Sequence, residues 1–241
     1  MPHYALLGGG RMARHMLHYL SLLKLPASGW ARDAKSALNS HAIEDPRLRL
    51  KATIEPASHV LVLVSDAAIL DVVRRYPFLR ERTLVHFAGA LSMAGIVSAH
   101  PLMTFSNEPY DLALYRQIPF ILECGRSFDE ILPGLPNPHF EIATENKARY
   151  HALCVMAGNF PQILWQSVAT RFAAMGLPPA ALEPYLRQLA GNFIEAGESA
   201  LTGPLSRADR TTIDSNLDAL AGDGLQALYR AFLEFHAEAA A

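Results

Sequence analysis

The stretch Tyr4–Met16, YALLGGGRMARHM, constrains the fold more than any other part of the chain. A strand-length apolar run, YALL, leads directly into three glycines. Behind them Met12, Met16, Leu17, Leu20 and Leu23 recur at helical spacing, which predicts a helix over Arg11–Leu23. A strand turning tightly into a helix is the opening unit of a parallel α/β sheet. Read as G-x-G-x-x-A, Gly8 permits the turn, Gly10 lets a pyrophosphate approach the backbone, and Ala13 lets the helix lie close to the strand. The N–H groups at the helix start, around Arg11 and Met12, would face the phosphates together with the positive end of the helix dipole.

The pattern repeats along the first half. Ser28–Ala31, His59–Val64, Thr83–Phe87, Val97–Phe105 and Pro119–Cys124 read as further strands, with helices over Ala34–His41 and Ala67–Arg75. His59–Val64, HVLVLV, is apolar on both faces, as a strand covered by helices on both sides should be. Asp66 stands where it would cap the helix that follows. After the proline-rich LPGLPNP and a last short strand, His139–Ile142, the pattern becomes helical. Thr144 is a suitable N-cap, and Pro161 is expected to kink or end a helix that starts at Glu145. Gln162–Met175 is stopped by Gly176. Ala180–Ala196 reads as a helix after Pro178 and Pro179, or one starting later at Pro184, and Thr211–Leu220 and Leu225–Ala240 complete the set. The expected fold is α/β: a Rossmann-type parallel sheet over residues 1–143 with dinucleotide-binding character, then an all-helical domain over residues 144–241 for substrate binding or dimerisation.

Composition narrows the function class. A net charge of −2 on 241 residues argues against a nucleic-acid partner. No apolar run reaches membrane-spanning length and no early window has signal-peptide character, so a cytoplasmic protein with no membrane partner is expected. The two cysteines, Cys124 and Cys154, have no CxxC spacing, HExxH is absent, and no metal is expected.

Cofactor choice turns on the end of the second strand, GWARD. NAD enzymes place an acid there for the ribose 2′-OH, whereas Arg32 suits a 2′-phosphate. The expected cofactor is NADP; NAD becomes the expectation if Asp33 faces the ribose instead. Ser65, Asp66 and Gly89 lie in loops at the carboxyl ends of strands, where ligands of open α/β sheets sit, and complete the candidate cofactor residues.

The segments ALLGGGRMA, LVLVSDAAI, HFAGALS, AHPLMTFS, RYHALCVMAGN and SALTGPLSRAD together resemble the bacterial Rossmann-like proteins with a DUF2520 C-terminal domain. That family is related to pyrroline-5-carboxylate reductases and to the 6-phosphogluconate dehydrogenase-like NADP oxidoreductases. The resemblance runs from Tyr4 to about Leu220. It implies a dinucleotide-binding domain and a helical, 6-phosphogluconate dehydrogenase C-terminal-like domain that makes a homodimer. There are two departures. The family reads Arg-Gly-Asp where this chain has Arg207-Ala208-Asp209, which puts a left-handed turn in question. Hydroxyacid dehydrogenases of the wider group carry a lysine four residues before a helical asparagine; if that asparagine is Asn159, the lysine position holds Val155.

Hydride transfer needs a reducible carbon beside the nicotinamide and a group near its heteroatom. His100 leaves a strand before a proline and is the candidate acid or base, or else it orders its loop. Asn159 is the second candidate catalytic residue, or ties helices together; Tyr150 and His151 lie about two turns before it. Thr202, Arg207 and Asp209 form a candidate substrate loop loosely similar to the SPGGTT loop of pyrroline-carboxylate reductases, in which Arg207 either clamps a carboxylate or pairs with Asp209. His15 and His18 face solvent or a neighbouring element. The expected function is NADP-dependent reduction of a small carbonyl or imine in a cleft between the domains. The alternative is a dinucleotide-binding dimer, sensing or scaffolding, without turnover.

Overall fold

The computed structural model describes residues 1–239, so the last two residues of the expected helical domain, including the end of the helix expected to reach Ala240, lie outside it. The chain divides into two compact units, Met1–Ile163 and Leu164–Ala241.

The first unit opens as β1 (Tyr4–Leu7), α1 (Arg11–Leu22) and β2 (Ala27–Trp30). It continues with α2 (Pro46–Ile54), β3 (His59–Val62), α3 (Ile69–Arg75), β4 (Thr83–His86) and β5 (Val97–Pro101). Then come α4 (Leu112–Gln117), β6 (Phe120–Glu123), α5 (Phe128–Ile131), β7 (His139–Ile142) and α6 (Lys147–Ala174), whose residues up to Ile163 belong to this unit. The strands form one sheet in the order β2-β1-β3-β4-β5-β6-β7. All neighbouring pairs are parallel except β5–β6, where His100 faces Ile121 across an antiparallel ladder. The order reverses between β1 and β3, which makes the carboxyl edge of those strands the crevice where doubly wound sheets take ligands. The Rossmann-type α/β fold is therefore present, with two strands reversed at its far side.

Strand alternation builds a core on each face. Tyr4, Leu6, Leu61, Val85 and Ala99 pack with Ala13, Met16, Tyr19 and Leu20 of α1, Tyr115 of α4 and Phe128 of α5. Ala5, Leu7, Val60, Val62 and Leu84 pack with Leu50 and Ile54 of α2 and Ile69 and Val73 of α3. His15 is buried in the first core, its imidazole meeting Tyr115 Oη at 2.9 Å and the Ser106 carbonyl at 3.0 Å.

Expectations change at Ala34–His41 and at the caps Asp66 and Thr144. Ala34–His41 is not a helix. Asn39 Nδ2 donates to the Asp33 and Ala34 carbonyls, its Oδ1 accepts from Ala31 N, and Asp33 Oδ1 accepts from Lys35 N, so side chains take the backbone groups a helix would use. The helix of this region is α2, whose N-cap Asp45 accepts from the N–H groups of Arg47 and Leu48 ahead of Pro46 in the first turn. β4 reaches its parallel neighbour β5 without an intervening helix. Asp66 and Thr144 form no side-chain caps, because both helices are entered through a 3-10 turn.

Pro161, in the first unit, stands inside α6 without ending it, and in the second unit Gly176 adopts a positive φ of 82° just past the end of that helix, as a C-cap should. α7 (Glu183–Ala196), α8 (Arg210–Ala219) and α9 (Leu225–Ala239) follow. Arg171 grips Asp223 with two bonds of 2.6 Å, and Asp223 also accepts from Leu225 N at the start of α9. Among the described residues no helix is long and apolar enough to cross a membrane.

Candidate functional site

The carboxyl edge of the first unit's parallel strands carries the glycine turn. Gly8 N donates to the Trp30 carbonyl, and a Cβ on Gly8 would lie 2.3 Å from the Leu63 carbonyl oxygen. Gly8 is thus required by the close approach of the β3 end as well as by the turn. Gly9 and Gly10 are exposed. A Cβ at Gly10 would meet nothing within 4 Å, one at Gly9 only Ala31 Cβ at 3.7 Å, and no side chain caps the start of α1 at Arg11 and Met12. This is an open cradle of backbone over a helix N-terminus, the shape and polarity that a pyrophosphate needs. Beside it lies a cavity of about 130 Å³ lined by Met12, Val62, Leu63, Val64, Asp66, Phe87 and Ala88. Ser65 and Asp66 are exposed, and the Asp66 carboxylate is not spent on a cap. Arg32 is exposed just beyond β2, while Asp33 is engaged by the Lys35 N–H.

His100, near the end of β5, is brought together with the start of α6. Its Nδ1 lies 2.8 Å from Tyr150 Oη, and its ring centroid lies 6.0 Å from that of His151. Gly89 makes room for both rings: a Cβ there would sit 2.5 Å from His151 Cδ2 and 3.2 Å from His100 Nε2. Burial, then the nearby His151 and Lys147, push His100 down to about 4, so the ring is neutral at pH 7. Burial and a hydrogen bond to Cys154 hold the Tyr150 hydroxyl well above the usual phenol range, so it keeps its proton. His100 Nδ1 and Tyr150 Oη share one hydrogen bond. An Nδ1–H donating to the phenol oxygen would leave Nε2 of His100 as an acceptor beside Gly89. Asn159 is exposed on α6, two turns past His151.

Behind His100 lies a buried polar group that the sequence does not announce. Lys147 is 3 % exposed; its ammonium donates to Ser98 Oγ and lies 3.9 Å from Glu123. His86 is fully buried and accepts from Ala88 N at Nδ1, so its proton is on Nε2, which has no partner among the described residues. Burial and Lys147 push His86 down to about 4. His86 pairs with Ser98 in the β4–β5 register, and Lys147 and His151 lie one turn apart at the start of α6, so the group emerges only from the fold.

In the second unit Thr202 and Arg207 are exposed in the loop before α8. Asp209 is the N-cap of α8, accepting from the N–H and hydroxyl of Thr212, which with Arg207 holds its carboxyl below the usual range. Ala208 adopts a φ of 52°, so the left-handed turn persists although alanine stands where a glycine is expected. Ala208→Gly is therefore expected to stabilise the protein by about 0.5–1 kcal/mol, read from urea unfolding midpoints.

Comparison with known proteins bears out the resemblance read from the sequence. Residues 126–234 match the model of a domain of unknown function, DUF2520. No curated protein matches the chain. Among solved structures, BF3122 from Bacteroides fragilis, provisionally described as an NADP oxidoreductase, is 22 % identical over 98 % of both chains with a TM-score of 0.76. Protein TM1727 from Thermotoga maritima is 26 % identical, covering 98 % of this chain and 97 % of its own, with a TM-score of 0.67. The pyrroline carboxylate reductase of Plasmodium falciparum, solved with NADP bound, is 13 % identical, covering 99 % and 97 %, with a TM-score of 0.60.

Proposed function

We propose that the protein is an NADP-dependent oxidoreductase that reduces a small carbonyl or imine compound, with the imine favoured. The observation that carries this is the neutral His100, tethered to Tyr150 beside Gly89, on the sheet edge that also presents the Gly8–Gly10 cradle. The NADP bound by the pyrroline carboxylate reductase, and the description of BF3122, support the cofactor. When bound, a reduced nicotinamide supplies hydride. The chain's own residues do the rest. Gly9, Gly10 and the N–H groups of α1 hold the pyrophosphate, Arg32 meets the 2′-phosphate, and the Val62–Asp66 and Phe87–Gly89 segments line the crevice.

His100 supports the imine as substrate class. A carbonyl needs a proton as hydride arrives, and an imidazole that titrates at about 4 carries none to spare at pH 7. A protonated imine brings its own proton, and Nε2 of His100 is an acceptor suited to its N–H. Tyr150 is proposed to hold that tautomer by accepting from Nδ1–H. Thr202 and Arg207 are proposed to contact a carboxylate on the substrate, and Asn159 a polar group of substrate or nicotinamide.

A panel of cyclic imines and 2-keto acids with NADPH tests this reading. Turnover is expected on imines, and His100→Ala is expected to lower kcat/KM by about 100-fold, with Tyr150→Phe losing about 10-fold at unchanged NADPH affinity. Tight NADPH binding without turnover on any of these would contradict the reductase reading and favour the non-catalytic dinucleotide-binding alternative. We also propose a homodimer through the helical region, supported by Tyr185, Phe193, Ile194, Phe232 and Phe235, which all stand exposed on α7 and α9. Sedimentation equilibrium should return twice the chain mass.

A further inference from the structure

Arg49 is a charged side chain with 1 % exposure, and no carboxylate lies within 4 Å of it among the described residues. Its guanidinium reaches both ends of the segment that runs from β2 to α2. One arm donates to the Ile43 and Glu44 carbonyls, the other to Ala31 O at 3.1 Å and Arg32 O at 3.2 Å, and Nε has no partner. The segment is tied down elsewhere as well. Gly29 N donates to Ser40 Oγ, Ala31 N donates to Asn39 Oδ1, and a Cβ at Gly29 would lie 2.0 Å from the Leu38 carbonyl. The loop that presents Arg32 is therefore rigid, and its floor is a cation.

Four carbonyl dipoles satisfy that cation's hydrogen bonds but leave its net charge standing. Burying an unneutralised guanidinium costs stability that an apolar residue of similar size would not. The other charges of this region, Arg32, Asp33, Lys35, Glu44, Asp45 and Arg47, are exposed and screened by water. A buried charge is screened far less, so its field persists at the carboxyl end of β2.

On the reading that this edge binds NADP, we infer that Arg49 is a positioning and specificity-determining residue for the 2′-phosphate, holding the backbone of Arg32 in place and adding an unneutralised positive charge beneath it. The ligand chemistry is a phosphate monoester on the adenosine ribose. Arg49 does not touch it; it acts through Arg32 and through its field.

The test compares binding of adenosine 2′,5′-bisphosphate with that of AMP, and of NADPH with NADH, by titration of the full chain. Binding of NADPH by the unaltered protein tests the cofactor reading itself; the ratios in variants test Arg49. Arg32→Ala, at an exposed position, leaves the fold intact and is expected to keep a preference of about five-fold for the 2′-phosphorylated ligand. Loss of all preference in Arg32→Ala would overturn the inference. Arg49→Gln is expected to lower the preference about ten-fold and Arg49→Lys to retain most of it, with AMP and NADH binding unchanged in both. Equal weakening of phosphorylated and unphosphorylated ligands in Arg49→Gln would show a merely structural role and overturn it. Raising salt should erode the preference of Arg32→Ala less than that of Arg49→Gln, where only the exposed Arg32 remains.

Discussion

Acidification from pH 6.5 to 4 is expected to destabilise the protein by about 2 kcal/mol per pH unit near pH 5. His86 and His100 are both pushed down to about 4 from an ordinary value of 6.5, chiefly by burial. In this window the unfolded chain binds two protons that the folded chain refuses. Stability therefore falls as pH falls below 6.5 and levels off once the folded histidines titrate. His3, lowered by burial to a lesser degree, adds in the same direction. The carboxyls of Asp209 and Asp223 are held below 3.8, so their contribution is lost only at more acid pH. Urea unfolding at half-unit steps should show the slope, and His86→Asn or His100→Asn should each reduce it by about half. Stability that stays level between pH 7 and 5 would contradict the buried, neutral state of these rings.

Gly8→Ala is expected to cost about 3 kcal/mol and to abolish dinucleotide binding. The added Cβ would meet the Leu63 oxygen at 2.3 Å and its carbon at 2.8 Å, both backbone, at a φ of 156°. Relief requires moving the end of β3 away from β1, where Leu63 N donates to Leu7 O at 2.7 Å. Gly10→Ala makes the contrast: with open space around its Cβ, it should change stability by less than about 1 kcal/mol while weakening NADPH binding sharply. Unfolding curves paired with NADPH titration separate the two glycines. Equal effects of both substitutions on stability would contradict the different work assigned to them.

These glycines also show how far the sequence can be read. Their place between a strand and a helix is a local pattern, and strand, turn and helix all stand where it predicts. Why Gly8 must be glycine is not local, because the obstructing carbonyl comes from Leu63, more than fifty residues on. The helix expected over Ala34–His41 fails because the competing bonds of Asn39 and Asp33 carry no periodicity, and the helix of that region starts instead at Asp45-Pro46. The reversal at β5–β6 could not be read, since a short apolar run does not reveal its direction. His100 was visible by its place before a proline. Lys147, His86 and Arg49 were not, because a charged or titratable residue that is buried looks in sequence like one that faces water, and only tertiary packing distinguishes them.

Direct titration of NADPH and NADH against the full chain, followed by nucleotide fluorescence, tests most directly whether the first unit's carboxyl edge holds NADP. Saturable NADPH binding well below about 1 mM, with NADH at least about ten-fold weaker, is the predicted result. Binding of neither nucleotide at that concentration, or tighter binding of NADH, would contradict it.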